Sequence, residues 1–178
     1  MQTMVVLMLL SAFATSQANA GAREQAKRIH DRLAGVPPSD SVLQAMEDDI
    51  NGVAGRSVID AAYRAMQNPA FYNVTLKNLV APWTNRDQDI FVPMNDYIAT
   101  YIGLVRDESD IRRVLYDDVV YVGNTAPAYS TSDNAHYEAI ENSNLDLSNN
   151  SNFFASTQSS QSGLTASATA GVMTSRAA

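Results

Sequence analysis

The chain has 178 residues, with 19 acidic against 12 basic side chains for a formal net charge of −7, and no cysteine. That balance disfavours nucleic acid and anionic lipid as partners, because both repel an acidic surface. It also excludes disulfide staples, thiolate metal sites and covalent haem attachment within the chain, so stability must come from a packed core.

The first element in chain order is an address. An apolar run from Met4 to Phe13 is followed by a polar stretch and Ala18-Asn19-Ala20. This is the form of a secretory signal peptide over residues 1–20, predicting cleavage after Ala20 and export to the periplasm or cell envelope. No Lys or Arg precedes the run. It is too short to span a bilayer, and no later run is longer, so no integral membrane segment is expected after cleavage. The remaining 158 residues suffice for one domain with a single core.

Ala22 to Ala34 is rich in helix formers, with Ala26, Ile29 and Leu33 as a narrow apolar stripe, and Gly35 stops it. Ser41 with Gln44 has the capping-box spacing for a second helix to Ile50, presenting Val42, Leu43, Met46 and Ile50. Ser57 to Gln67 is a third helix, with Val58, Ile59, Ala62, Ala65 and Met66 as its apolar side. Pro69 suits the first turn of a fourth, running to about Val80, with Phe71, Leu76, Leu79 and Val80 inward. Asp87 to Arg106 is the most apolar helical stretch, and Pro93 is expected to kink or divide it. Asp110 to Tyr116 reads as a short helix, Val119 to Val122 as a short extended segment, and Ala135 to Glu141 as a last helix. The expectation is an all-α domain over residues 21–141, a small bundle of five to seven helices.

Residues 142–178 differ in composition. Ser, Asn, Thr and Ala dominate, with one acid, Asp146, and one base, Arg176. Such a composition predicts a poorly ordered tail. Leu145, Leu147, Phe153, Phe154, Leu164, Val172 and Met173 are nonetheless apolar enough to want a partner, which makes the segment read as a truncated continuation.

No catalytic or cofactor motif stands out. His30 lies among Arg28, Asp31 and Arg32 on a charged helix and reads as solvated. Asp133, His136 and Glu138 are weak metal candidates, since a site needs three or four convergent ligands. Asn85, Asp87, Asp89 and Asp96 fall at positions 1, 3, 5 and 12 of a calcium loop, but Ile90 replaces the glycine and Asp96 the glutamate, so helix capping is the better reading. The acidic clusters Glu47-Asp48-Asp49, Asp107-Glu108 with Asp110, and Asp117-Asp118 sit at expected helix ends and read as hydrated. Trp83, after Pro82 on a connection, is the aromatic candidate for a ligand surface.

Four stretches carry a resemblance: Arg28 to Pro38 (RIHDRLAGVPP), Ala65 to Asn73 (AMQNPAFYN), Pro82-Trp83-Thr84-Asn85, and Pro93 to Tyr97. Together they resemble an uncharacterised group of exported bacterial proteins. Those chains carry a helical module of the kind found beside cytochrome c segments in planctomycete and proteobacterial proteins. The resemblance covers about residues 25–140 and extends to a further stretch, Ala166 to Ala178. It implies a haem-attachment motif downstream, which this chain lacks, so no haem residue carries over and no cofactor is expected. What it implies is a non-catalytic accessory or docking module with a cytochrome c-like protein or domain as partner. The alternative is an exported hydrolase or small-ligand-binding protein with a His or carboxylate site. Substrate and oligomeric state are not legible.

Overall fold

The computed structural model describes residues 21–177, and the expected signal peptide lies outside them. The described chain is mostly helical, with seven α-helices, further 3-10 and π-helical turns and a small two-stranded sheet. None of its helices is long and apolar enough to cross a membrane.

Three helices open the fold: α1 (Ala22–Leu33), α2 (Asp40–Ile50) and α3 (Val58–Met66). Gly35, at φ +72°, turns the chain out of α1. The cap of α2 is Ser39 rather than Ser41. Its hydroxyl accepts from the Val42 N–H at 3.4 Å, so the helix starts earlier than the Ser41–Gln44 spacing suggests. At α3, the Asp60 carboxylate accepts from both the Ser57 N–H and its hydroxyl, each at 2.8 Å. The three helices pack on Ala26, Met46, Ala61 and Ala65. This corrects the expected inner face of α3: Ala61 and Ala65 point inward, while Val58 and Ile59 are 50 % and 63 % exposed. Small residues on the inner face let helix axes approach closely.

The chain continues through a π-helical turn (Phe71–Leu76), the short α4 (Lys77–Val80) and a 3-10 turn (Ala81–Thr84). Leu79, expected inside, is exposed. Residues 85–95 are irregular, so the expected long helix is divided at Pro93, and α5 runs only over Asp96–Arg106. Asn95 caps it by accepting from the Ile98 N–H at 3.0 Å. Asp110 to Tyr116 contains a 3-10 turn (Ile111–Leu115).

The second half pairs β1 (Val120–Gly123) antiparallel with β2 (Phe153–Ser156), in the register Val120↔Ser156 to Gly123↔Phe153. Between them lies α6 (Ala135–Asn142), and after them the short α7 (Gln158–Ser162). A two-stranded ribbon is marginal alone, and here it lies against α5. Gly103 permits the contact: a Cβ there would lie 2.0 Å from the Tyr121 ring.

Of residues 142–178, expected as a poorly ordered tail, the described residues 142–177 supply β2 and the buried Leu147, Phe153 and Val172 to the α5 core. The Gly171 N–H donates to the Asp117 carbonyl at 2.7 Å and the Val172 N–H to Val114 at 2.8 Å. The buried Asp96 carboxylate accepts from the backbone N–H groups of Arg176 and Ala177, at 2.7 and 3.1 Å. These bonds join positions 54 to 81 residues apart, which no local pattern encodes.

Candidate functional site

The residues singled out in the sequence do not converge. His136 is buried at the start of α6. Its Nδ1 lies 2.7 Å from the Pro127 carbonyl, and its Nε2 accepts from the Gly123 N–H at 3.1 Å. A carbonyl only accepts, so Nδ1 carries the proton and Nε2 the lone pair. Both nitrogens are therefore committed to backbone. Asp133 is exposed and accepts from the Ala135 N–H at 3.0 Å, and Glu138 is exposed as well. Among the described residues no group of three His, Asp or Glu side chains is placed to hold a metal ion.

The calcium-like spacing is dispersed by the fold. Asn85 closes its own loop, accepting from the Asp89 N–H at 3.0 Å and donating to the Ala81 and Asp89 carbonyls at 2.8 and 2.9 Å. Asp89 accepts from the Phe91 N–H, and Asp96 is engaged with the C-terminal backbone. Trp83 is 54 % exposed on its 3-10 turn, and its ring packs edge-on against Tyr101 at 5.5 Å.

Two readings are corrected. His30, expected on a solvated face, is 1 % exposed. It sits where α1 ends, and its Nδ1 donates to the Val36 carbonyl at 2.8 Å. Asp49, expected to be hydrated, is 2 % exposed. It receives Arg64 through two nitrogens at 2.8 and 3.2 Å, and Arg56 at 3.4 Å. The Arg64 hydrogen bonds hold its carboxyl below the usual carboxylate range, against the opposing effect of burial. At the third cluster burial opposes the Asp118 charge. Hydrogen bonds from Ser159, Thr169 and the Gln158 backbone outweigh it and lower the pKa.

The sequence reading missed Arg106 altogether. Its side chain is 5 % exposed. It donates to the Leu147 and Phe153 carbonyls at 3.2 and 2.5 Å and to Asp107 at 2.8 Å, and lies 5.4–5.6 Å from the centres of the Tyr121 and Phe153 rings. The Tyr121 hydroxyl donates to Asp107 at 2.6 Å, and burial together with that carboxylate raises its pKa. This network is closed on itself and reads as a clamp between α5 and β2.

The open feature lies elsewhere. α1 and α3 enclose an apolar groove of about 610 Å³. Ile29 and Leu33 form one wall, and Val58, Ile59, Ala62 and Tyr63 the other, with Met66 at one end. Tyr63 is 60 % exposed. Tyr63 and Met66 also line an adjoining hollow of about 440 Å³ that reaches Tyr72, Arg106 and Glu108. Arg32 lines the groove, and Arg28 stands one turn before it on α1. Both are exposed, and neither has an ion-pair partner among the described residues. The apolar spacing of α3 was a visible signal for this face; its direction was not. No known family model matches the chain, and neither a curated protein nor a solved structure matches it.

Proposed function

We propose that the chain is an exported, non-catalytic helical docking module whose contact element is the α1/α3 groove. One observation carries this reading: Val58, Ile59 and Tyr63 form a contiguous apolar surface on a helix whose inner face is already filled by alanines. An exposed patch rimmed by charge is characteristic of an interaction site. Its shape, between two helices, suits an amphipathic helix laid into a groove. The unpaired Arg32 on the rim, with Arg28 one turn before it on α1, favours acidic residues beside that helix's apolar stripe. The resemblance described above supplies the partner class, a cytochrome c-like protein or domain.

Gel filtration of the full chain with c-type cytochromes, followed at the haem absorbance, tests both parts. Haem absorbance should move to earlier elution with the chain and return to the free position with Tyr63→Asp. Co-elution that survives Tyr63→Asp and Ile59→Asp would place docking away from the groove. Absence of co-elution with every cytochrome tried would remove the partner class.

A further inference from the structure

A second hollow, of about 260 Å³, opens where α1, the first turns of α2 and the end of α3 meet, and it shares no residue with the α1/α3 groove. His30 lines it and is 1 % exposed. With Nδ1 donating to Val36, Nε2 is the ring nitrogen left to accept, and it has no hydrogen-bond partner among the described residues. Arg64 lines the same hollow. Its Nε and Nη2 are held by Asp49, while Nη1 makes no hydrogen bond to the described residues. Asp49 also binds Arg56, so this trio of charges keeps one net positive charge in a chain of −7. Asp60, further back on α3, is engaged at the Ser57 cap. The Asn68 Oδ1 accepts from the Ala70 N–H at 3.0 Å, which fixes the amide and leaves Nδ2 as a donor. Val42 and Ala45 give the hollow an apolar floor.

We propose that this hollow binds a small carboxylate with a hydroxyl or ammonium group on the adjacent carbon, a 2-hydroxy or 2-amino acid. The carboxylate accepts from Arg64 Nη1 and Asn68 Nδ2, as charge-assisted hydrogen bonds favour. The hydroxyl or ammonium donates to His30 Nε2, which faces the hollow and has no partner among the described residues. A short side chain covers Val42 and Ala45. A bare phosphate would satisfy the donors but leave the apolar floor wet. A hollow of about 260 Å³ accommodates an acid of this size.

Nuclear magnetic resonance titration of the full, nitrogen-15-labelled chain with L-lactate, L-alanine, acetate and phosphate gives the test. Lactate or alanine should shift the Asn68 side-chain amide and the Arg64 Nε–H saturably, and which of the two binds more tightly identifies the donor. Acetate should bind about tenfold more weakly, as expected for the loss of one hydrogen bond. Asn68→Asp keeps the acceptor for Ala70 but replaces the donor with a charge, and should abolish the Arg64 Nε–H shift. His30→Asn keeps a donor for Val36 and deletes Nε2, and should reduce lactate or alanine to the affinity of acetate. The proposal is overturned if acetate or phosphate binds as tightly as both acids, if no ligand shifts these groups, or if Asn68→Asp binds normally. Should His30→Asn fail to fold, Asn68→Asp and the acetate comparison decide.

Discussion

The core of α1–α3 contains four buried apolar side chains, and three of them are alanine. The core built on α5 contains seventeen, including Tyr121, Phe153, Ile98, Ile102 and Leu104. The first unit is local in sequence, its helices joined by short connections and its buried polar anchors local too: His30 reaches Val36 six residues on, and Asp49 reaches Arg64 fifteen residues away. The second gathers residues from Phe71 to Val172. A small core of alanines removes little apolar area from water, and at roughly 25 cal/mol per Å² it contributes correspondingly little. It also leaves the bulky residues of α3 facing out. The thin core and the open groove are thus two consequences of the same placement of Ala61 and Ala65.

The same substitution on two helices breaks or confirms this contrast. Ile102 is fully buried on α5. Ile102→Asp places an unpaired charge in the large core and should cost more than about 4 kcal/mol, enough to unfold most chains of this size. Loss of the cooperative thermal transition in circular dichroism is the expected result. A variant that melts within a few degrees of wild type would show that α5 is not central.

The next effect in size tests whether residues 142–177 belong to that core. Gly171 has φ +54°, and a Cβ there would meet the Val114 carbonyl oxygen at 2.1 Å. Gly171→Ala should therefore cost about 3 kcal/mol, from backbone strain plus overpacking. In wild type, limited proteolysis should spare the segment after Asn142; in the variant, cleavage should concentrate there. Wild-type cleavage after Asn142 at the rate of an unfolded peptide would restore the disordered tail suggested by composition.

The two regions also differ in how much the sequence discloses. The bounds of α1, α6 and β1 lie within a residue or so of those expected, because their signals are local: a three-and-four period, a stop at Gly35, a β-branched run before Gly123. The inward face of α3 is not legible, since periodicity marks both Ala61/Ala65 and Val58/Ile59 as apolar and only the spacing between helices selects the smaller pair. β2 is hidden in a Ser- and Asn-rich stretch whose partner strand begins 33 residues earlier. Arg106 looks like any basic residue at a helix end until the Leu147 and Phe153 carbonyls arrive from 41 and 47 residues away. His30 and Asp49 mislead for a similar reason. Charged neighbours in sequence suggest water, whereas the adjoining helices cover both.

A third, smaller effect is specific to the first unit. Asp49 is lowered below its ordinary value of 3.8, chiefly by the Arg64 hydrogen bonds. Its contribution to stability is therefore complete well above pH 4 and declines as pH falls below about 4 toward the folded-state value. Asp49→Asn should cost about 2 kcal/mol at neutral pH, less than a fully buried pair because Arg56 and Arg64 are partly solvated. The variant should also lose less additional stability than wild type between pH 4 and pH 2. Parallel pH profiles for the two proteins would mean that the pair contributes nothing in solution.

The smallest expected effect is the most informative about function. Ile59 is 63 % exposed, so Ile59→Asp removes little burial and strands no charge away from water. Asp also enters the first turn of α3, where the helix dipole favours an acid. The thermal midpoint should stay within about 2 °C of wild type, equivalent to roughly 0.5 kcal/mol or less. The identical change at Ile102 is expected to abolish the fold, so the pair separates an apolar side chain that builds the protein from one that does not. If Ile59→Asp destabilises by several kcal/mol, the residue is covered in solution and the groove is filled before any partner arrives. If stability is unchanged, the chain maintains an apolar face that its own folding does not require, and that requirement must come from binding.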